Sequence, residues 1–134
     1  MQIKILAFLF LHCSYSYMHS FSSISSQHRA ALDESVCFQR RELNKILNIY
    51  GQMVSLGEWR DYAISVFGDV AVFSIYKGYG ESPIYMVEKR PKLFRKNGKY
   101  SIIGVDGAIL KRANDLDVIL SFFSRKMIKL IKLS

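Results

Sequence analysis

Between Lys89 and Lys99, six of eleven residues are basic (Lys89, Arg90, Lys92, Arg95, Lys96 and Lys99) and none is acidic. Cations at that density suit an anionic partner, nucleic acid first or an acidic protein, whose charges they would neutralise. Phe94 and Tyr100 stand among them as faces on which bases could stack, the combination that single-strand binders use. Lys111 and Arg112 extend the patch if their hairpin lies beside this loop. The competing reading is a solvated loop that keeps the protein soluble, with Leu93 and Phe94 tucked into the core. No recognition-helix, zinc-finger or RNA-recognition consensus decides between them. The charge is unevenly spread. Residues 1–88 carry seven Lys/Arg and eight Asp/Glu, a net of −1, whereas residues 89–134 carry twelve and three, a net of +9.

Other chemistry is thinly represented. Histidine is the usual proton carrier at neutral pH, and all three histidines (His12, His19 and His28) precede the expected folded body. A Ser-His-Asp or Cys-His arrangement would have to borrow one from a flexible segment, a poor way to preorganise a site. No Cys/His pair within the body has metal-ligand spacing, so neither metal nor cofactor is expected, and the chain reads as a non-enzyme. Gly78-Tyr-Gly80 reads as a turn, because Glu81 and Pro83 follow it where a phosphate loop needs another glycine and a helix. Glu58 and Asp61 form a carboxylate pair only if both face one cleft. Between them, Trp59 and Arg60 mark a helix-to-strand corner, either a partner site or a packed edge of the core. Packing is the preferred reading, because large aromatics usually belong to the core.

The elements that must position these residues are legible from periodicity. Leu43, Ile46, Leu47, Tyr50, Met53 and Val54 follow the three-and-four rhythm of one helix face over residues 39–56, with Gly57 placed to end it. Two β-rich runs, 62–67 and 70–76, flank Gly68-Asp69 and predict a tight hairpin. A third run spans 83–89. Residues 100–105 and 108–112 flank Asp106-Gly107, a second hairpin signal. A last helix is predicted from an Asn114 cap, with Leu116, Ile119, Leu120 and Phe123 packing inward. Its end, Met127–Leu133, is dense in Ile, Leu and Lys and could project as a contact. Short links between five strands require an antiparallel meander. The expected fold is therefore α+β: helix, meander of about five strands, and C-terminal helix, both helices on one face of the sheet.

The N-terminal region is read separately. Residues 1–16 have the short basic start, apolar run and small-x-small site (Ser14-Tyr-Ser16) of a secretory signal. They equally suit a misassigned start, with Met18 as the first residue. The apolar run is too short to span a bilayer. Residues 17–36 read as a flexible Ser-rich linker, and 37–134 as a single domain. The product is cytoplasmic if the leader is an artefact, and secreted if the leader is cleaved. With only Cys13 and Cys37 in the chain, a stabilising disulfide is not expected.

Several motifs carry a family likeness: Phe38-Gln-Arg-Arg-Glu-Leu-Asn-Lys-Ile-Leu-Asn-Ile-Tyr-Gly51, Gly57-Glu-Trp-Arg-Asp-Tyr-Ala63, Glu88-Lys-Arg-Pro-Lys-Leu93, and Gly107-Ala-Ile-Leu-Lys-Arg112 with the Asp-Leu pair after it. In order and spacing they resemble the small proteobacterial family called domain of unknown function 2794, over about residues 37–130. The resemblance implies a compact intracellular bacterial protein and brings no activity, substrate or catalytic residue. The apolar leader departs from that pattern, as does Gln39, which stands where a short capping residue is expected. The functional expectation is a small basic accessory protein that binds an anionic partner through residues 89–99. The alternative is an exported protein that engages a protein partner.

Overall fold

The computed structural model describes residues 35–134; the expected leader, its cleavage near Ser16 and most of the linker lie outside them. Helix α1 (Arg40–Ser55) begins at Gln39, whose backbone N–H donates to the Glu42 carboxylate at 2.6 Å. Glu42 thereby satisfies a donor that a short capping side chain at position 39 could not reach in its own residue. Leu43, Ile46 and Met53 are buried along one face, and Gly57 with φ +75° turns the chain out of the helix.

Strands β1 (Asp61–Phe67) and β2 (Val70–Tyr76) pair around Gly68, which supplies φ +53°. Strand β3 (Tyr85–Lys89) follows, then a 3-10 turn (Pro91–Lys96), β4 (Tyr100–Gly104) and β5 (Ile109–Ala113). The five strands lie in sequence order, every neighbour antiparallel. The β4–β5 connection is longer than a two-residue hairpin. Gly107, at φ +79°, donates its N–H to the Gly104 carbonyl, and the register slips between Ile102 and Ile103. That is the turn-plus-bulge solution to the same Asp-Gly signal.

Helix α2 spans Leu116–Leu133. Its cap is Asp115, whose carboxylate accepts from the Asp117 N–H at 2.9 Å, and not Asn114; both residues are competent caps, and Asn114 is engaged elsewhere. Leu116, Ile119, Leu120 and Phe123 are buried as expected, whereas Ile128, Ile131 and Leu133 are exposed.

The register places Tyr62, Phe73, Tyr85, Val87, Lys89, Tyr100 and Ile102 on one sheet face, because paired residues share a side and the side alternates along each strand. Both helices pack on that face. Tyr50 of α1 stands edge-on to Tyr62 and Phe73, and Phe123 of α2 stands edge-on to Tyr85 and Trp59. The architecture is the α+β arrangement expected. Cys37, in contrast to the expectation from cysteine count, is disulfide-bonded.

Candidate functional site

The basic loop is a built structure. Arg90 N–H donates to the Lys99 carbonyl at 2.7 Å, closing the two strand ends, and Gly98 N–H donates to the Leu93 carbonyl at 3.0 Å. Asn97 takes the left-handed conformation at φ 52°, which Asn tolerates better than other side chains with a Cβ. The decisive clamp comes from the residue that follows β5, the strand paired with β4. Asn114 donates its side-chain amide to the Phe94 carbonyl (2.7 Å), accepts from the Lys99 N–H (3.1 Å), and donates its own N–H to the Asn97 side chain (3.2 Å). Residues with no charge therefore set the loop's shape.

Asn114→Ala should cost about 1–2 kcal/mol, the usual loss for a part-buried polar group stripped of its partner. It should also speed hydrogen exchange at the Lys99 amide, measured by NMR, while amides in β2 exchange as before. An unchanged Lys99 amide would mean that the backbone bonds alone hold the loop.

The cations divide into three groups. Lys89 belongs to the interior at 6% exposure, where its ammonium donates to the Glu42 carboxylate (2.8 Å) and the Cys37 carbonyl (2.9 Å). Tyr100, 5% exposed, donates its hydroxyl to the same carboxylate. Neither residue presents a contact or stacking face at the surface. Burial alone would raise the Glu42 pKa, but hydrogen bonds from Lys89, Tyr100 and the Gln39 N–H outweigh it and hold the carboxyl below its ordinary 4.5. Burial and then the bond to Glu42 push the Tyr100 phenol up.

The second group reaches the surface tied to an acid. Arg90 donates to Glu88 at 2.8 Å, and Lys92 stands 3.7 Å from Asp69. The third is exposed with no acid partner among the described residues: Arg95, Lys96 and Arg112, with Lys99 half-buried over the Tyr100 ring. Arg112 does join the loop. A Cβ built on Gly98 would come within 3.1 Å of the Arg112 Cδ, so the absence of a side chain at position 98 is what lets the guanidinium stem cross there. Lys111, one residue earlier, stands on the opposite, helix-bearing face beside Ile102. Phe94 is 57% exposed, the one ring that the loop offers to solvent.

At the other end of β3 and β4 lies the corner marked by Trp59. Trp59 is 4% exposed and meets Phe123 edge-on at 4.9 Å, so it is a core residue, as preferred from sequence. Arg60 is exposed, its guanidinium 5.6 Å over the Tyr79 ring. Trp59 also walls a cavity of about 510 Å³ that Glu58 borders. Asp61 turns its carboxylate back to the Tyr62 N–H. Among the described residues no cluster of three or more His, Cys, Asp or Glu side chains is placed to hold a metal, and no helix is long and apolar enough to cross a membrane.

A family model described as a protein of unknown function, DUF2794, matches residues 36–120. The chain belongs to the DUF2794 family. The match takes in α1, the whole sheet with its basic loop, and the first turn of α2. Neither the curated proteins nor the solved structures gave a match.

Proposed function

We propose that this protein is a non-enzymatic binding module whose 3-10 loop docks an anionic polymer, single-stranded nucleic acid first. The observation that carries the reading is the pairing of a clamped backbone with unpaired surface cations. Arg95, Lys96 and Arg112 have no acid partner among the described residues, and Phe94 stands among them more than half exposed. A loop already held by Asn114 has little conformational entropy left to lose on binding. Exposed ion pairs such as Lys92–Asp69 contribute little, so Lys92 is free to exchange Asp69 for a phosphate. Arg90, Lys99 and Lys92 flank the unpaired three, whereas Lys89 and Tyr100 support the loop from inside.

The test is the triple variant K92E/R95E/K96E, titrated with a fluorescent single-stranded oligonucleotide over a salt series. Every phosphate that is no longer neutralised should flatten the log–log salt slope by about 0.7. The variant should therefore show a slope shallower by about two units and bind far more weakly. Phe94→Ala should weaken binding at every salt concentration with no change of slope, since stacking releases no counterions. Equal affinity for the triple variant and the parent chain would refute the proposal.

A further inference from the structure

The cavity beside Trp59 is unconnected with the basic loop. The register puts Tyr85 opposite Gly104 at the cavity end of β3 and β4, and Lys89 opposite Tyr100 at the loop end. Met53, Trp59, Ile84 and Leu110 supply apolar walls. The cavity is an open groove rather than an enclosed chamber, and its volume of about 510 Å³ is that of a small-molecule site.

The polar groups around it are unevenly matched. Asp106 accepts from the Ala108 N–H within its own turn, and Glu58 faces Lys77 across 3.9 Å. Lys126 has no acid partner among the described residues. Its ammonium donates to the Tyr85 hydroxyl oxygen at 2.6 Å and stands 5.2 Å and 5.4 Å from the Tyr85 and Phe122 ring centres. These interactions hold the cation at the cavity wall without neutralising it. Having accepted from Lys126, the Tyr85 hydroxyl keeps its own proton to donate. A charged donor and a neutral one thus stand side by side at the edge of a groove with apolar walls.

We propose that this cavity binds an amphipathic carboxylate, a small acid with an aliphatic or aromatic body. The body lies against Trp59, Met53, Ile84 and Leu110, and the two carboxylate oxygens take the Lys126 ammonium and the Tyr85 hydroxyl. Burying the body removes apolar surface from water, and the charge-assisted bond selects the acid over a neutral analogue of the same length.

Trp59 is the protein's single tryptophan, so its emission reports on this cavity directly. The experiment titrates the full chain with decanoate and, separately, decanol, both below their aggregation limits, and follows Trp59 fluorescence. A saturable change with decanoate, at an affinity at least tenfold tighter than decanol, is the expected result. In Lys126→Gln the decanoate affinity should fall to that of decanol while decanol binding stays as it was. Because Lys126 is exposed, that variant keeps the fold, and a matching far-UV spectrum verifies it. Equal affinities for acid and alcohol, no saturable response to decanoate, or a Lys126→Gln variant that binds decanoate like the parent would each overturn the proposal.

Discussion

Lys89→Met should lower the unfolding free energy by about 3 kcal/mol or more, although it removes a residue from the basic segment and touches no exposed surface. Its ammonium bridges β3 to the start of α1 through the Glu42 carboxylate and the Cys37 carbonyl, with both members of the ion pair largely shielded from water. Removing one partner of a buried pair strands the other charge, at a cost of about 3–5 kcal/mol. Here Tyr100 and the Gln39 N–H still serve Glu42, which places the loss near the lower end. Glu42→Gln should cost a similar amount, because Lys89 then lacks its counter-charge. Urea denaturation at pH 7 measures both; midpoints within error of the parent would mean that water reaches the pair.

The same pair gives the fold an acid-sensitive component. The Glu42 pKa is lower in the folded state than its ordinary 4.5. Its contribution is therefore complete above about pH 4.5 and is lost as the pH falls through the depressed folded value. Stability of the parent chain should decline over that interval. In Glu42→Gln this part of the decline disappears, so the two curves converge at low pH.

Phe123→Ala should cost about 3–5 kcal/mol, the range for a buried aromatic replaced by a methyl group. Phe123 is 1% exposed and meets Trp59, Tyr85 and Phe122 edge-on at 4.9, 5.2 and 5.4 Å. Each such ring pair adds about 0.5–1.5 kcal/mol beyond the area it buries. Truncation leaves a void against Trp59, so the folded-state emission should also move to longer wavelength. Phe123→Leu keeps most of the volume and should cost less than about 2 kcal/mol. A small loss for the alanine variant would show that α2 slides to refill the gap.

Lys89 illustrates what periodicity conveys and composition hides. Counted by composition, it is one cation in a dense run. Counted by parity along β3, it shares a side with Tyr85 and Val87 and must point toward the helices, where Glu42 waits in the first turn of α1. The strand alternation was available in the sequence; the helical partner, 47 residues away, was not. Trp59 was readable as a packed corner because a lone large aromatic between a helix and a strand has few other places to go. Asn114 was not readable, because two adjacent residues, Asn114 and Asp115, can each cap a helix. Only the tertiary bonding to the loop decides which one does. The passage of Arg112 over Gly98 and the groove beside Trp59, lined from α1, β3, β4, β5 and α2, arise from residues far apart in the chain, and no local pattern encodes either. The meander and both helices, in contrast, follow from hydrophobic period and turn residues alone.

The division of labour inside the basic loop has an evolutionary corollary. Its contour is specified by Asn97, Gly98, Asn114 and backbone bonds, while Lys92, Arg95 and Lys96 project from that contour without shaping it. Mutation can therefore rewrite the outward side chains without disturbing the frame that presents them. Such a loop is a ready point of divergence, at which one scaffold could acquire new binding preferences by point substitution while its folding stability remained constant.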